Sequence, residues 1–140
     1  MKSLVLAAAA LLAAAPAAAA ARQVSFPSTD GTPLAATLYE PSARPAPAIV
    51  LVHMLGRSKE DWNAVAARLE EAGAVVLAVD LRGHGRSGGS MATLPPMIDD
   101  VRAAIAWVSG RPGTRPDAVA VVGASLGANL ALVAAADSAA

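Results

Sequence analysis

Gly123-Ala124-Ser125-Leu126-Gly127 lies between the apolar run Val119-Ala120-Val121-Val122 and an apolar segment from Leu126 to Ala136. The pattern predicts a buried strand, an abrupt turn with a serine at its apex, and a helix. Such a turn holds its apex residue in a strained backbone conformation, so the flanking residues must be small. Gly123, Ala124, Gly127 and Ala128 meet that condition. A serine placed there projects its hydroxyl above the sheet, and the next helix aims its electropositive N-terminus at whatever the hydroxyl meets.

The remaining chain supplies a sheet for that strand. Gln23–Phe26 and Leu34–Tyr39 read as short strands, with Asp30-Gly31 as the turn of a hairpin. Pro41–Pro47 reads as a Pro-rich connector. Ala48–Val52 is continuously apolar, as expected of a strand buried on both faces. After the loop His53-Met54-Leu55-Gly56, Ser58 is placed to cap a helix with Asp61 as its reciprocal partner. Trp62, Val65, Ala66 and Leu69 recur at helical spacing and Gly73 ends the helix. Ala74–Val79 is a further buried strand, closed by Asp80 and the Gly-rich loop Leu81–Ser90. A second helix follows, capped by Ser90 or Thr93 and begun by Pro95-Pro96. Met97, Val101, Ala104, Ile105 and Val108 form one face of it, and Asp99 and Asp100 lie near its positive end. Arg111–Pro116 reads as the loop before the Val119–Val122 strand. A hairpin followed by strand–helix units predicts an α/β fold with a mostly parallel sheet.

The first residues read differently. Met1-Lys2 is a basic start, Leu4–Ala15 is an Ala/Leu core, Pro16 breaks it, and Ala18–Ala21 offers small-residue cleavage sites. Residues 1–21 are expected to be a secretory signal peptide and 22–140 the folded domain, giving an exported, periplasmic or secreted product with no stable membrane anchor. The chain has no cysteine, so disulfides and thiolate metal sites are excluded. Its formal net charge is zero and it holds one Phe and one Tyr, which leaves no electrostatic case for nucleic acid.

The loops at His53–Gly56, Leu81–Ser90 and Gly123–Gly127 each follow a buried strand. In a parallel sheet they converge at the C-terminal edge, where open α/β sheets bind ligands. Ser125 is the candidate catalytic nucleophile of a G-x-S-x-G elbow, against the plainer reading of a helix N-cap serine. A serine hydroxyl needs a general base and donors for the developing oxyanion. The turn supplies the Leu126 backbone N–H as one donor, and the loop after Ala48–Val52 supplies the second from Leu55 or Met54. The two histidines are poor bases on sequence grounds. His53 belongs to the donor loop, whereas His84 sits in the Gly-rich loop and is expected to be the more exposed. Asp80 is expected to accept hydrogen bonds from its own loop's amides. No metal-ligand spacing is present, and no cofactor is required. Gly83–Gly88 matches G-x-G-x-x-G, but the helix begins too late for a dinucleotide site.

At these residues the chain resembles the α/β-hydrolase superfamily, over about Val24–Ala136. His53-Met54-Leu55-Gly56 resembles the family's H-G-x-G oxyanion loop, with Met54 where Gly is usual. Asp80–Ser87 resembles its D-x-R-G-x-G-x-S loop, and Gly123–Gly127 its elbow. The DVRAAIAWV helix and the GASLG elbow look most like dienelactone-hydrolase-like and serine-aminopeptidase-like members. The resemblance implies strands one to five of an eight-stranded sheet, the family's histidine and acid lying in later segments. It further implies hydrolysis of a small-molecule ester, thioester or amide, with Leu126 and Leu55 forming the oxyanion hole. On this reading the sequence is expected to be an N-terminal portion of the fold, inactive alone, or a non-catalytic module.

Overall fold

The computed structural model describes residues 21–91 and 93–138. The expected signal peptide lies almost wholly outside the described residues. Strands β1 (Arg22–Pro27) and β2 (Pro33–Tyr39) form the antiparallel hairpin, with Arg22 opposite Leu38 and Pro27 opposite Pro33. Strands β3 (Ala46–Val52), β4 (Val75–Val79) and β5 (Thr114–Gly123) complete one sheet in the order β1-β2-β4-β3-β5. β3 runs parallel to both β4 and β5, and β2 pairs antiparallel with β4. This is the mostly parallel α/β sheet with an N-terminal hairpin that the sequence predicts.

Alternation along the central strands decides where the helices lie. Val50, Val52, Leu77 and Val79 face α2 (Leu94–Ser109) and α3 (Leu126–Ser138), joining Met97, Val101, Val108 and Leu130 in the larger core. Leu51, Val76 and Ala78 face the other way, against α1 (Asn63–Glu71), through Ala66, Trp62 and Leu69. Both faces of β3 and β4 are therefore covered, which is why their sequences are continuously apolar.

Some boundaries differ from the sequence reading, and β3 begins at Ala46, inside the segment read as a connector. A 3-10 turn at Lys59–Trp62 precedes α1, and the Ser58 side chain makes no cap. Instead the Ser58 carbonyl accepts the Asp61 N–H at 3.2 Å, while the Asp61 carboxylate is taken by Arg57 at 2.6 and 2.9 Å. An ion pair four residues apart thus replaces the capping box. β5 begins at Thr114, inside the segment read as a loop. Thr114 reaches Ala46 across a register shift, so an irregularity beside Pro116 absorbs the proline that argued against a strand.

Candidate active site

The chain leaves β3 toward α1 on one face and leaves β5 toward α3 on the other, so the crevice between the ends of β3 and β5 is a switch point of the sheet. Val52 pairs with Gly123 there, and the Ala124 N–H donates to the Val52 carbonyl at 3.2 Å. Ser125 follows with φ 51°, the one non-glycine residue at positive φ among those described. Its side chain is exposed at the top of the sheet. Left-handed backbone is costly for a residue with a Cβ, and a strand-to-helix junction in one step demands it.

The small neighbours have geometric reasons. A Cβ on Gly123 would meet the backbone of Gly127, and would stand 2.5 Å from the Ala128 nitrogen. A Cβ on Gly127 would strike the Val52 carbonyl oxygen and stand 2.7 Å from that of His53. The two glycines therefore let α3 start directly over the end of β3. Leu126 opens α3, and first-turn N–H groups of a helix have no intrahelical acceptor. The loop carrying Met54 and Leu55 leaves β3 beside this turn, and both side chains are exposed. A cavity of about 180 Å³ lies nearby, between the start of this loop and the Asp61–Val65 segment, lined by His53, Met54, Asp61, Trp62, Val65 and Ala124.

The Gly-rich loop after β4 is held by buried polar groups. Asp80, fully buried, accepts the Lys59 N–H at 2.7 Å, the Lys59 ammonium at 3.1 Å and the Arg86 N–H at 3.0 Å. The expected amides of its own loop thus supply only part of the set. Burial pulls the Lys59 ammonium pKa down, but hydrogen bonds to Glu60 and Asp80 outweigh it and leave the pKa above the usual value. A Cβ on Gly85, at φ 51°, would land on the Asp80 carboxylate. The Ser87 hydroxyl donates to the Asp80 carbonyl at 2.6 Å and accepts the Ala35 N–H at 2.8 Å, tying the loop to β2.

Asp100 was expected to favour the helix N-terminus. It is instead buried and holds Arg82, whose side chain also reaches Ser28 and Asp30. Hydrogen bonds to Asp100 and then Asp30 raise the Arg82 pKa far above its usual value. Asp99 pairs with Arg102 at 2.8 Å.

Neither histidine is placed as a base. His53 Nδ1 lies 2.7 Å from the Met54 carbonyl, so it carries the ring proton, and Nε2 accepts the Leu81 N–H at 3.1 Å. Burial lowers the His53 pKa and outweighs the hydrogen bond to Met54, so the ring is held neutral. His84, expected to be the more exposed of the two, is so at 6% against 1% for His53, and both are buried. Its Nδ1 faces the Arg82 carbonyl at 2.9 Å and its Nε2 accepts the Gly56 N–H at 3.2 Å. The sequence reading missed His84 and Lys59 as buried groups. The small residues around His84 were the available signal, since they let the loop fold inward. Among the described residues, no group of acidic, histidine or cysteine side chains could hold a metal ion.

The strand order, the elbow and the two braced loops define an α/β-hydrolase fold. Residues 30–140 match the family model described as X-Pro dipeptidyl-peptidase (S15 family), and the chain belongs to that family. It is 35% identical over 117 residues to a polyketide transferase of Stachybotrys chlorohalonatus, covering 81% of this chain and 39% of that protein. It is 30% identical over 109 residues to a monoacylglycerol lipase of Mycolicibacterium smegmatis, covering 76% and 38%. The crystal structure of the α/β hydrolase GrgF from Penicillium sp. sh18 superposes with a TM-score of 0.79 at 26% identity, covering 84% of this chain and 42% of that one. The chain thus spans about two fifths of the length of the relatives it matches.

Proposed function

We propose that the protein is a serine hydrolase of an ester, thioester or amide bond. The observation that carries this reading is Ser125 at φ 51°, exposed between β5 and α3. Ser125 Oγ attacks the substrate carbonyl, forming the Oγ–C bond while its proton passes to a general base. The Leu126 and Leu55 N–H groups receive the oxyanion, the leaving group departs with a proton, and water then releases the acyl group. The names of the two relatives favour an acyl ester or thioester, and the family's name favours an amide. The substrate is a small molecule, and the chemistry needs neither metal nor cofactor.

The alternative reading is a non-catalytic exported module; His53 and His84 each have both ring nitrogens engaged in holding loops, so the base of a serine hydrolase is a group other than these two. Turnover of p-nitrophenyl butyrate and Ala-Pro-p-nitroanilide, measured with and without Ser125→Ala, separates the two readings. Serine hydrolysis predicts Ser125-dependent release from at least one substrate, and the module predicts none. Export belongs to either reading. N-terminal sequencing of the secreted product is expected to begin at Ala21 or Arg22, whereas an intact Met1 would refute it.

A further inference from the structure

The two histidines brace each other's loops. His53 leaves β3 and accepts a backbone N–H from the loop after β4, at Leu81. His84 lies in the loop after β4 and accepts a backbone N–H from the loop after β3, at Gly56. Each ring is fixed by its other nitrogen on a nearby carbonyl, of Met54 for His53 and of Arg82 for His84. The rings lie 4.9 Å apart at 53°. Both are buried, so water does not compete for these acceptors. The arrangement requires the same neutral tautomer in both rings, with the proton on Nδ1.

The two bonds act on different places. The His53 bond reaches Leu81, at the start of the Gly-rich loop after β4. The His84 bond reaches Gly56, one residue after Leu55, in a segment that is otherwise exposed. Gly56 sits at φ 70°, and the Arg57 N–H closes back on the Met54 carbonyl at 3.2 Å. The segment from Met54 to Arg57 is therefore a tight turn with His84 at its far side. Fixing the Gly56 N–H orients the peptide planes just before it, which include the Met54 and Leu55 amides.

We propose that His84 is a positioning residue of the oxyanion hole, holding the turn at residues 54–57 through the Gly56 N–H while His53 holds the partner loop in return. This rests on the serine hydrolase reading above. Both ring nitrogens of His84 are taken, by the Arg82 carbonyl and the Gly56 N–H. It acts through the turn, so it changes how well the transition-state oxyanion is held more than how well substrate is held.

The test uses the natural protein at full length with wild-type, His84→Leu and His84→Gln forms. Glutamine can present its amide oxygen close to where Nε2 stands, and leucine cannot. Long-range ¹H–¹⁵N correlation of the imidazoles is expected to show Nδ1–H tautomers for both histidines. Exchange of the Gly56 amide is expected to quicken at least tenfold in His84→Leu and to return within about threefold of wild type in His84→Gln. The kcat for p-nitrophenyl butyrate should fall about tenfold in His84→Leu at nearly constant KM, with recovery in His84→Gln. Protection of the Ala124 amide, bonded to Val52, reports that the fold is intact.

Gly56 exchange that ignores His84→Leu overturns the proposal. So does quickened exchange with an unchanged kcat, which leaves the hydrolase reading standing. If Gly56 exchange follows His84 but wild type shows no Ser125-dependent turnover, the hydrolase reading fails and the positioning role of His84 in an oxyanion hole fails with it.

Discussion

Gly127→Ala sets two rules against each other. Gly127 lies in the first turn of α3 with no positive φ, so helix propensity alone says alanine should stabilise, by up to about 1 kcal/mol. The surroundings say the opposite. The new Cβ would strike the Val52 carbonyl and stand 2.7 Å from the His53 carbonyl. Both are backbone atoms of the central strand's end, and neither can rotate away. Relief requires α3 to lift from β3. Overpacking of this kind costs about 1–3 kcal/mol. Lifting also loosens the Ala124 N–H bond to Val52, about 1 kcal/mol more. The net expectation is a loss of about 2 kcal/mol. Gly110→Ala is the control. Gly110 has φ −80°, and a Cβ there would meet only the Ala106 and Trp107 carbonyls, at 3.5 and 3.9 Å. Restricting the unfolded chain should then stabilise by about 0.4–1 kcal/mol. Urea unfolding followed by circular dichroism should separate the two variants by about 3 kcal/mol, or about 12 °C in Tm. Variants of equal stability would refute the close approach of α3 to β3, and with it the geometry assigned to the elbow.

Arg82→Met leaves Asp100 buried without its guanidinium and should cost about 3–5 kcal/mol, with the half-exposed Asp30 arm adding little. Arg82→Met/Asp100→Leu should recover most of that loss, and a double-mutant cycle by urea unfolding measures the coupling. His53 has a folded-state pKa below its ordinary 6.5 because of burial, so the unfolded chain takes up that proton first. Its stabilisation is complete above about pH 6.5 and is lost as pH falls from there toward the folded value. His53→Gln should flatten this part of the profile, as read from urea midpoints between pH 7.5 and 5. Ser125→Gly removes the left-handed strain at φ 51° and should be about 1 kcal/mol more stable than Ser125→Ala. Equal thermal midpoints for those two would mean that the turn stores no strain at Ser125.

The elements most legible in the sequence were those buried on both faces. Ala48–Val52, Ala74–Val79 and Val119–Val122 each fall within an observed strand or within one residue of it, since a two-sided core leaves no room for polar residues. The elbow was legible for a related reason. Only glycine fits where Gly123 and Gly127 come against another backbone, so the motif carries its geometry with it. Side-chain partners were less legible. Asp61 could equally complete a capping box with Ser58 or an ion pair with Arg57, and local spacing does not choose between them. Asp100 lies 18 residues from Arg82 and 72 from Ser28 in sequence, so no local pattern announces their contact. His84 is the more exposed of the two histidines, as its place among glycines suggests, yet it too is buried. Those glycines instead let the loop turn inward, and Gly85 makes room for the Asp80 carboxylate.

Covalent capture reads the proposed nucleophile, Ser125, without any assumption about substrate. The natural protein is treated with a fluorophosphonate, which forms a stable bond to an activated serine, and the adduct is located by peptide mass spectrometry. One adduct is expected, on Ser125, lost together with ester turnover in Ser125→Ala. Turnover that survives Ser125→Ala, or an adduct on another residue, would contradict that proposal.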